Sequence, residues 1–259
     1  MKPEGYWGCV MQASDTGSVK IGVRYCGGCN PRYDRVAVVK KIQSLFPDFT
    51  FENAQAGQRY LAVIVVSGCT TACTQLDDLV IPEGRLLRVG EFKDFVPVKQ
   101  AILELMERKD EPAMDLYDIL EVLPQRPPML FVDAVESLQP GKEVKALFHV
   151  RKDLPEFAGH FPGNPIFPGV HTLEAMAQAA DLMLLSQEKY KGRIPVFGGV
   201  KEARFRIPIL PGDYLKIQAV LLDEREDFGW CHCKCQVLKD DDIAADAEIT
   251  LIMKDAVQE

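Results

Sequence analysis

Gly159-His-Phe-Pro-Gly-Asn-Pro-Ile-Phe-Pro-Gly-Val-His-Thr-Leu-Glu-Ala-Met-Ala-Gln-Ala-Ala180 decides how the larger part of the chain is read. Its first half, residues 159–169, holds three prolines and three glycines, which stiffen and shape a loop presenting His160. From about Gly169 to Gln187, Val170, Leu173, Ala177, Ala180 and Leu184 recur on one helical stripe. Working outward, a short helix capped by Asp115 runs through Leu123, and strand patterns occupy 129–137 and 143–150. Further strand patterns follow near 195–205, 213–223, 228–239 and 243–253. Antiparallel strands around one long apolar helix predict an α+β domain whose curved sheet wraps that helix.

The front of the chain follows a different grammar. Strand patterns at 19–25, 60–66 and 85–89 alternate with helical ones. The first helix is expected to open at Asn30-Pro31 and end near Pro47, and a closing helix spans 98–108. The run at 60–66 is continuous and rich in β-branched residues, as in a strand covered on both faces. A small α/β domain with a parallel sheet is predicted for 1–111. The charged, proline-bearing Lys109-Asp-Glu-Pro112 forms a linker to the second domain, 112–259.

Among the 259 residues, 30 basic against 38 acidic side chains give a net charge of -8. That balance argues against nucleic acid as a partner, since phosphate binding depends on clustered Lys and Arg. Met1 to Val10 has no apolar signal region, and Leu61–Val66 is too short to span a bilayer. A cytoplasmic protein without membrane contact is expected, with its eight cysteines mostly reduced.

His160 on the loop and Glu174 near the start of the helix could work on one substrate from opposite sides, one taking a proton while the other gives one. The backbone N–H at Gly169, backed by the positive end of the helix dipole, would stabilise the enolate formed when a proton leaves the carbon beside a thioester. The plain alternative is that Glu174 only complements the helix dipole and His160 only bonds backbone.

This string resembles the signature of the β-hydroxyacyl-acyl-carrier-protein dehydratases of the FabZ type, which have the hotdog fold. The resemblance covers roughly 115–255. It also includes Leu123-Pro-Gln-Arg-Pro-Pro-Met-Leu-Phe-Val-Asp133, Glu174-Ala-Met-Ala-Gln178 and Ala203-Arg-Phe-Arg-Ile-Pro-Ile-Leu-Pro-Gly-Asp213. It implies His160 as base, Glu174 as the acid that assists departure of the β-hydroxyl, and Gly169 as donor to the thioester carbonyl. Phe161 and Val170 would contact substrate, and the site would lie at a dimer interface with His and Glu from different subunits. The implied partners are acyl carrier protein and further copies of the chain, with no cofactor for the dehydration. Glu rather than Asp at 174 resembles the simple dehydratases, so isomerisation is not expected. Gln125 stands where the usual dehydratase has His. Lys201, Arg204 and Arg206 could attract the carrier or the phosphate of its arm, or could be ordinary solvated strand residues. Other readings kept open are a hotdog thioesterase, a CoA-dependent hydratase, or an acyl-binding and dimerisation module coupled to a metal or redox sensor.

Cys26-Gly-Gly-Cys29 follows the first predicted strand, and Cys69 and Cys73 follow the second long one. Both sets would emerge at the carboxyl edge of a parallel sheet, where α/β domains bind ligands. Three readings follow: a metal ion or iron-sulfur cluster on four thiolates, a Cys26/Cys29 redox centre, or structural cysteines. The segment 19–76 resembles the CGGC-type domains. Cys231, Cys233 and Cys235 alternate in a predicted strand and so share one face, as small core residues. His149, His171 and His232 are assigned to structure.

Overall fold

The computed structural model describes residues 19–27, 32–69, 73–107 and 112–256, in two compact units, Met1–Arg108 and Lys109–Glu259.

In the first unit, β1 (Lys20–Tyr25), α1 (Arg35–Gln43), β2 (Thr50–Asn53), β3 (Ala62–Val66), β4 (Leu86–Val89) and α2 (Phe95–Glu107) succeed one another. The sheet order is β2-β1-β3-β4, with every pairing parallel. Each residue of β3 is buried, which accounts for its unbroken apolar run. Strand β2 is absent from the sequence expectation, because Thr-Phe-Glu-Asn shows neither alternation nor a β-branched run. The cap of α1 is Asp34, whose carboxylate accepts the N–H groups of Val36 and Ala37. The expected Asn30-Pro31 start lies outside the described residues.

The second unit opens with α3 (Leu116–Val122). Asp115 caps it, and the Asp118 carboxylate returns a hydrogen bond to the Asp115 N–H. Then come β5 (Ala134–Gln139), β6 (Glu143–His149), α4 (Gly169–Leu185), β7 (Ile194–Phe205), β8 (Tyr214–Arg225), β9 (Trp230–Lys239) and β10 (Asp242–Lys254). They form one antiparallel sheet in the order β5-β6-β8-β9-β10-β7. All residues of α4 from Ala175 to Leu185 are buried, so the helix is the core of the unit, as a hotdog fold requires. The alanines at 175, 177, 179 and 180 let the sheet approach closely.

The strand expected over 129–137 begins only at Ala134. Residues 129–131 direct their polar backbone elsewhere: Phe131 N–H donates to Gln178 Oε1 at 2.8 Å, and Gln178 Nε2 donates to the Met129 carbonyl at 2.9 Å. A side chain of α4 thus supplies what a neighbouring strand would have supplied. Phe131, Phe148 and Phe167 meet one another with ring centroids 5.6–5.8 Å apart. Phe167 thereby anchors the end of the His160 loop to the core.

Candidate active site

The loop that carries His160 starts from a turn of 3-10 helix, Pro155–Ala158. His160 N–H donates to the Glu156 carbonyl, and Ile166 N–H donates to the His160 carbonyl, both at 2.9 Å. The ring itself is held by Nδ1, 2.8 Å from the Ile166 carbonyl oxygen. A carbonyl can only accept, so Nδ1 carries the proton. In the neutral ring, Nε2 is then the basic nitrogen. Phe161 stacks on the imidazole at 4.1 Å and leaves half of its own surface open.

Glu174 lies on the second turn of α4. Its Oε1 accepts from Gln178 Nε2 at 2.9 Å and from Gln125 Nε2 at 3.5 Å. His160 and Glu174 therefore have separate anchors, the first on its own loop and the second on α4. Beneath Glu174, the side chain of Asp181 is 2% exposed and lies 3.4 Å from Gln125 Nε2. Burial pushes the Asp181 carboxyl well above the usual aspartate range, against the lowering effect of the Gln125 hydrogen bond, and the Glu174 charge raises it further.

Gly169 is the first residue of α4, where a backbone N–H has no acceptor within the helix. A β-carbon there would meet the Phe205 ring at 3.2 Å, so glycine permits the approach of β7. Val170, next along the helix, is 70% exposed. Lys201, Arg204 and Arg206 each stand beside carboxylates: Lys201 by Glu248, Arg204 by Glu202 and Asp246, and Arg206 against Asp246. Much of their positive charge is offset locally.

Residues 123–248 match the FabA-like domain family. A 3-hydroxyacyl-[acyl-carrier-protein] dehydratase FabZ from Symbiobacterium thermophilum is 42% identical over 137 residues, which cover 53% of this chain and 95% of that protein. The chain belongs to the FabZ family. A FabZ from Lactobacillus helveticus is 38% identical over 142 residues, covering 55% of this chain and 95% of its own length. Among solved structures, the dehydratase heterocomplex ApeI:P from Xenorhabdus doucetiae aligns with a TM-score of 0.44 and 18% identity, over 53% of this chain and 91% of that one. The FabZ relatives account for about half of the chain, and residues 20–106 match an uncharacterized protein family instead.

Within this FabZ-family unit, two site neighbours escape a reading by motif. Gln178 belongs to the quoted string, but its links to Met129 and Phe131 do not show in sequence. Asp181 belongs to no motif, although an acidic residue inside Ala-Gln-Ala-Ala-Asp-Leu-Met-Leu-Leu is itself a signal of a partner. His171 stacks on Phe131 at 5.0 Å, His149 stacks on Tyr214 at 4.1 Å, and His232 lies between Thr250 and Glu248. Cys231, Cys233 and Cys235 are all fully buried in the core. Burial pushes the Cys231 thiol up to about 11 and raises the other two well above the ordinary thiol range.

In the first unit, Cys26 is buried at the carboxyl end of β1. Its Sγ accepts the Gly68 N–H at 3.1 Å and the Arg35 guanidinium at 3.2 Å. Cys26 and the exposed Cys73 line a cavity of about 350 Å³ together with Arg24 and Tyr25. Cys69 is half-buried, and Cys29 lies outside the described residues. Among the described residues, no three His, Cys, Asp or Glu side chains gather as a metal-binding group. No helix among them is long and apolar enough to cross a membrane.

Proposed function

We propose that the Lys109–Glu259 unit removes water from a (3R)-3-hydroxyacyl thioester on acyl carrier protein, giving the trans-2-enoyl thioester, in cytoplasmic fatty-acid synthesis. The observation that carries this reading is the His160 tautomer, fixed by the 2.8 Å bond from Nδ1 to the Ile166 carbonyl. Nε2 takes the proton from the α carbon, and the electron pair moves toward the thioester carbonyl. The Gly169 N–H at the start of α4 stabilises the developing oxyanion. The pair then returns to form the α–β double bond as the β-carbon–oxygen bond breaks. Glu174 protonates the departing oxygen, which leaves as water. Proton return from the imidazolium to Glu174 resets the site.

Phe161 and Val170 face the acyl chain as apolar contacts beside the two reacting groups. The unit works as a homo-oligomer built from dimers, in which one copy supplies His160 and its partner supplies Glu174. Strand β7 supports that assembly: it ends the sheet, and Phe197, Val200 and Phe205 on it are 43–53% exposed. Lys201, Arg204 and Arg206 receive the carrier or its phosphate, exchanging exposed and individually weak ion pairs for the incoming anion.

The test is incubation of the whole chain with 3-hydroxyacyl thioesters of acyl carrier protein and of CoA. Enoyl product, absent with His160→Ala, is the expected result. Release of free thiol instead would indicate a thioesterase, and reaction on CoA alone would indicate a hydratase.

For the first unit, the CGGC-like reading takes a more specific form. Cys26 Sγ accepts the Gly68 N–H and the Arg35 guanidinium beside the Cys73-lined cavity, an arrangement that suits thiol chemistry at Cys26. Metal analysis of the protein purified without oxygen tests the rival four-cysteine metal or iron-sulfur site at Cys26, Cys29, Cys69 and Cys73.

A further inference from the structure

The mechanism above leaves a buried carboxyl unused directly under its acid. Glu174, Gln178 and Asp181 follow one another at four and then three residues along α4 and so project from one face. The segment after α3 brings Gln125 to both carboxyls, its Nε2 lying 3.5 Å from Glu174 Oε1 and 3.4 Å from Asp181 Oδ2. An amide nitrogen has two protons to give, and a carboxyl oxygen stands on either side to take them. Gln178 Nε2 approaches the same Glu174 Oε1 at 2.9 Å.

We infer that Gln125 and Asp181 are positioning residues for Glu174: Asp181 pins the Gln125 amide, and the Gln125 and Gln178 donors together fix Oε1 as the accepting oxygen, leaving the acid proton on Oε2. This inference rests on the dehydratase reading. An oxygen facing two N–H groups has no room for a proton of its own, so the acid points its proton in one direction only. The charged or titratable groups that face Asp181 are Glu174 on its own helix and the thiols of Cys231, Cys233 and Cys235 on β9. None of them is a cation. With no cation facing it, burial pushes Asp181 toward its neutral form, in which it anchors the amide without adding a negative charge beside the acid.

The experiment compares wild type, Gln125→Leu, Asp181→Leu and Asp181→Asn in the full chain. It measures kcat and KM, and separately the titration midpoint of Glu174 from its carboxyl carbon resonance. Both leucine variants are expected to lose about tenfold or more in kcat, with KM within about twofold of wild type. Their Glu174 midpoint moves up in pH, because an N–H donor that favours the ionised form no longer reaches Oε1. Asp181→Asn keeps an acceptor for the Gln125 nitrogen and brings kcat and midpoint back toward wild type. Gln125→Ala serves the same comparison should a leucine fail to fit. Unchanged kcat and midpoint in the leucine variants, or Asp181→Asn impaired as badly as Asp181→Leu, would overturn the inference. If wild type turns over no thioester, the dehydratase reading fails, while the midpoints still decide whether Gln125 and Asp181 hold Glu174.

Discussion

Gln178 joins Glu174 to the backbone of a different segment: its Nε2 lies 2.9 Å from Glu174 Oε1 and 2.9 Å from the Met129 carbonyl, and its Oε1 takes the Phe131 N–H at 2.8 Å. One fully buried amide therefore aligns the candidate acid and satisfies a chain segment that has no strand partner. Gln178→Leu keeps the volume but strands the buried Phe131 N–H and deprives the Met129 carbonyl of its partner. It is expected to cost ~2–4 kcal/mol of stability, read from the midpoint of urea unfolding.

His160 and Glu174 are both partly exposed, so their removal should spare the fold. His160→Ala and Glu174→Gln are each expected to lower kcat by roughly 10²–10⁴-fold. The thermal midpoint stays close to wild type. Enoyl absorbance with an acyl-carrier-protein substrate, alongside a melt, checks both halves.

Asp181 makes stability depend on pH with a definite sign. Its carboxyl titrates higher in the folded protein than the 3.8 of an ordinary aspartate. The folded state therefore keeps a proton that the unfolded state has released. Stability from this group is fully present below the unfolded value and is lost as pH rises from there toward the folded one. Asp181→Asn removes that loss. Its melting temperature should exceed wild type by a few degrees at neutral pH, and the gain should vanish when both are melted near pH 3, the low end of the aspartate range.

The cysteines should react in two classes. Cys73 is exposed, whereas Cys231, Cys233 and Cys235 are fully buried with thiols pushed up by burial. Iodoacetamide at neutral pH is expected to label Cys73 promptly and the three β9 cysteines only after unfolding. Peptide mass mapping over time reads this directly.

The hotdog half was legible because its signals are local. Alternation marked β8, β9 and β10, small apolar residues marked α4, and prolines with glycines marked the His160 loop. Failures occurred where local pattern is weak or overridden. Strand β2, four mixed residues at the edge of its sheet, carries no periodicity. Residues 129–131 look like strand, yet the Met129 carbonyl and the Phe131 N–H pair with the Gln178 side chain, a partner about 50 positions away. Of the site, His160 and Glu174 could be found by residue type and motif. The nitrogen of His160 that is free could not, because that depends on the Ile166 carbonyl. The Gln125–Asp181 link needed three dimensions, since 56 positions separate the two residues.

Strand β7 is hydrogen-bonded to β10 and ends the sheet. Twelve residues of open strand with large apolar side chains on display form a template that any stray strand can join. Pairing with a like copy would close that template, so the dimer contact proposed for catalysis would also keep newly made chains from clumping. Charged substitutions along β7 chosen to separate the copies should then yield aggregate sooner than clean monomer.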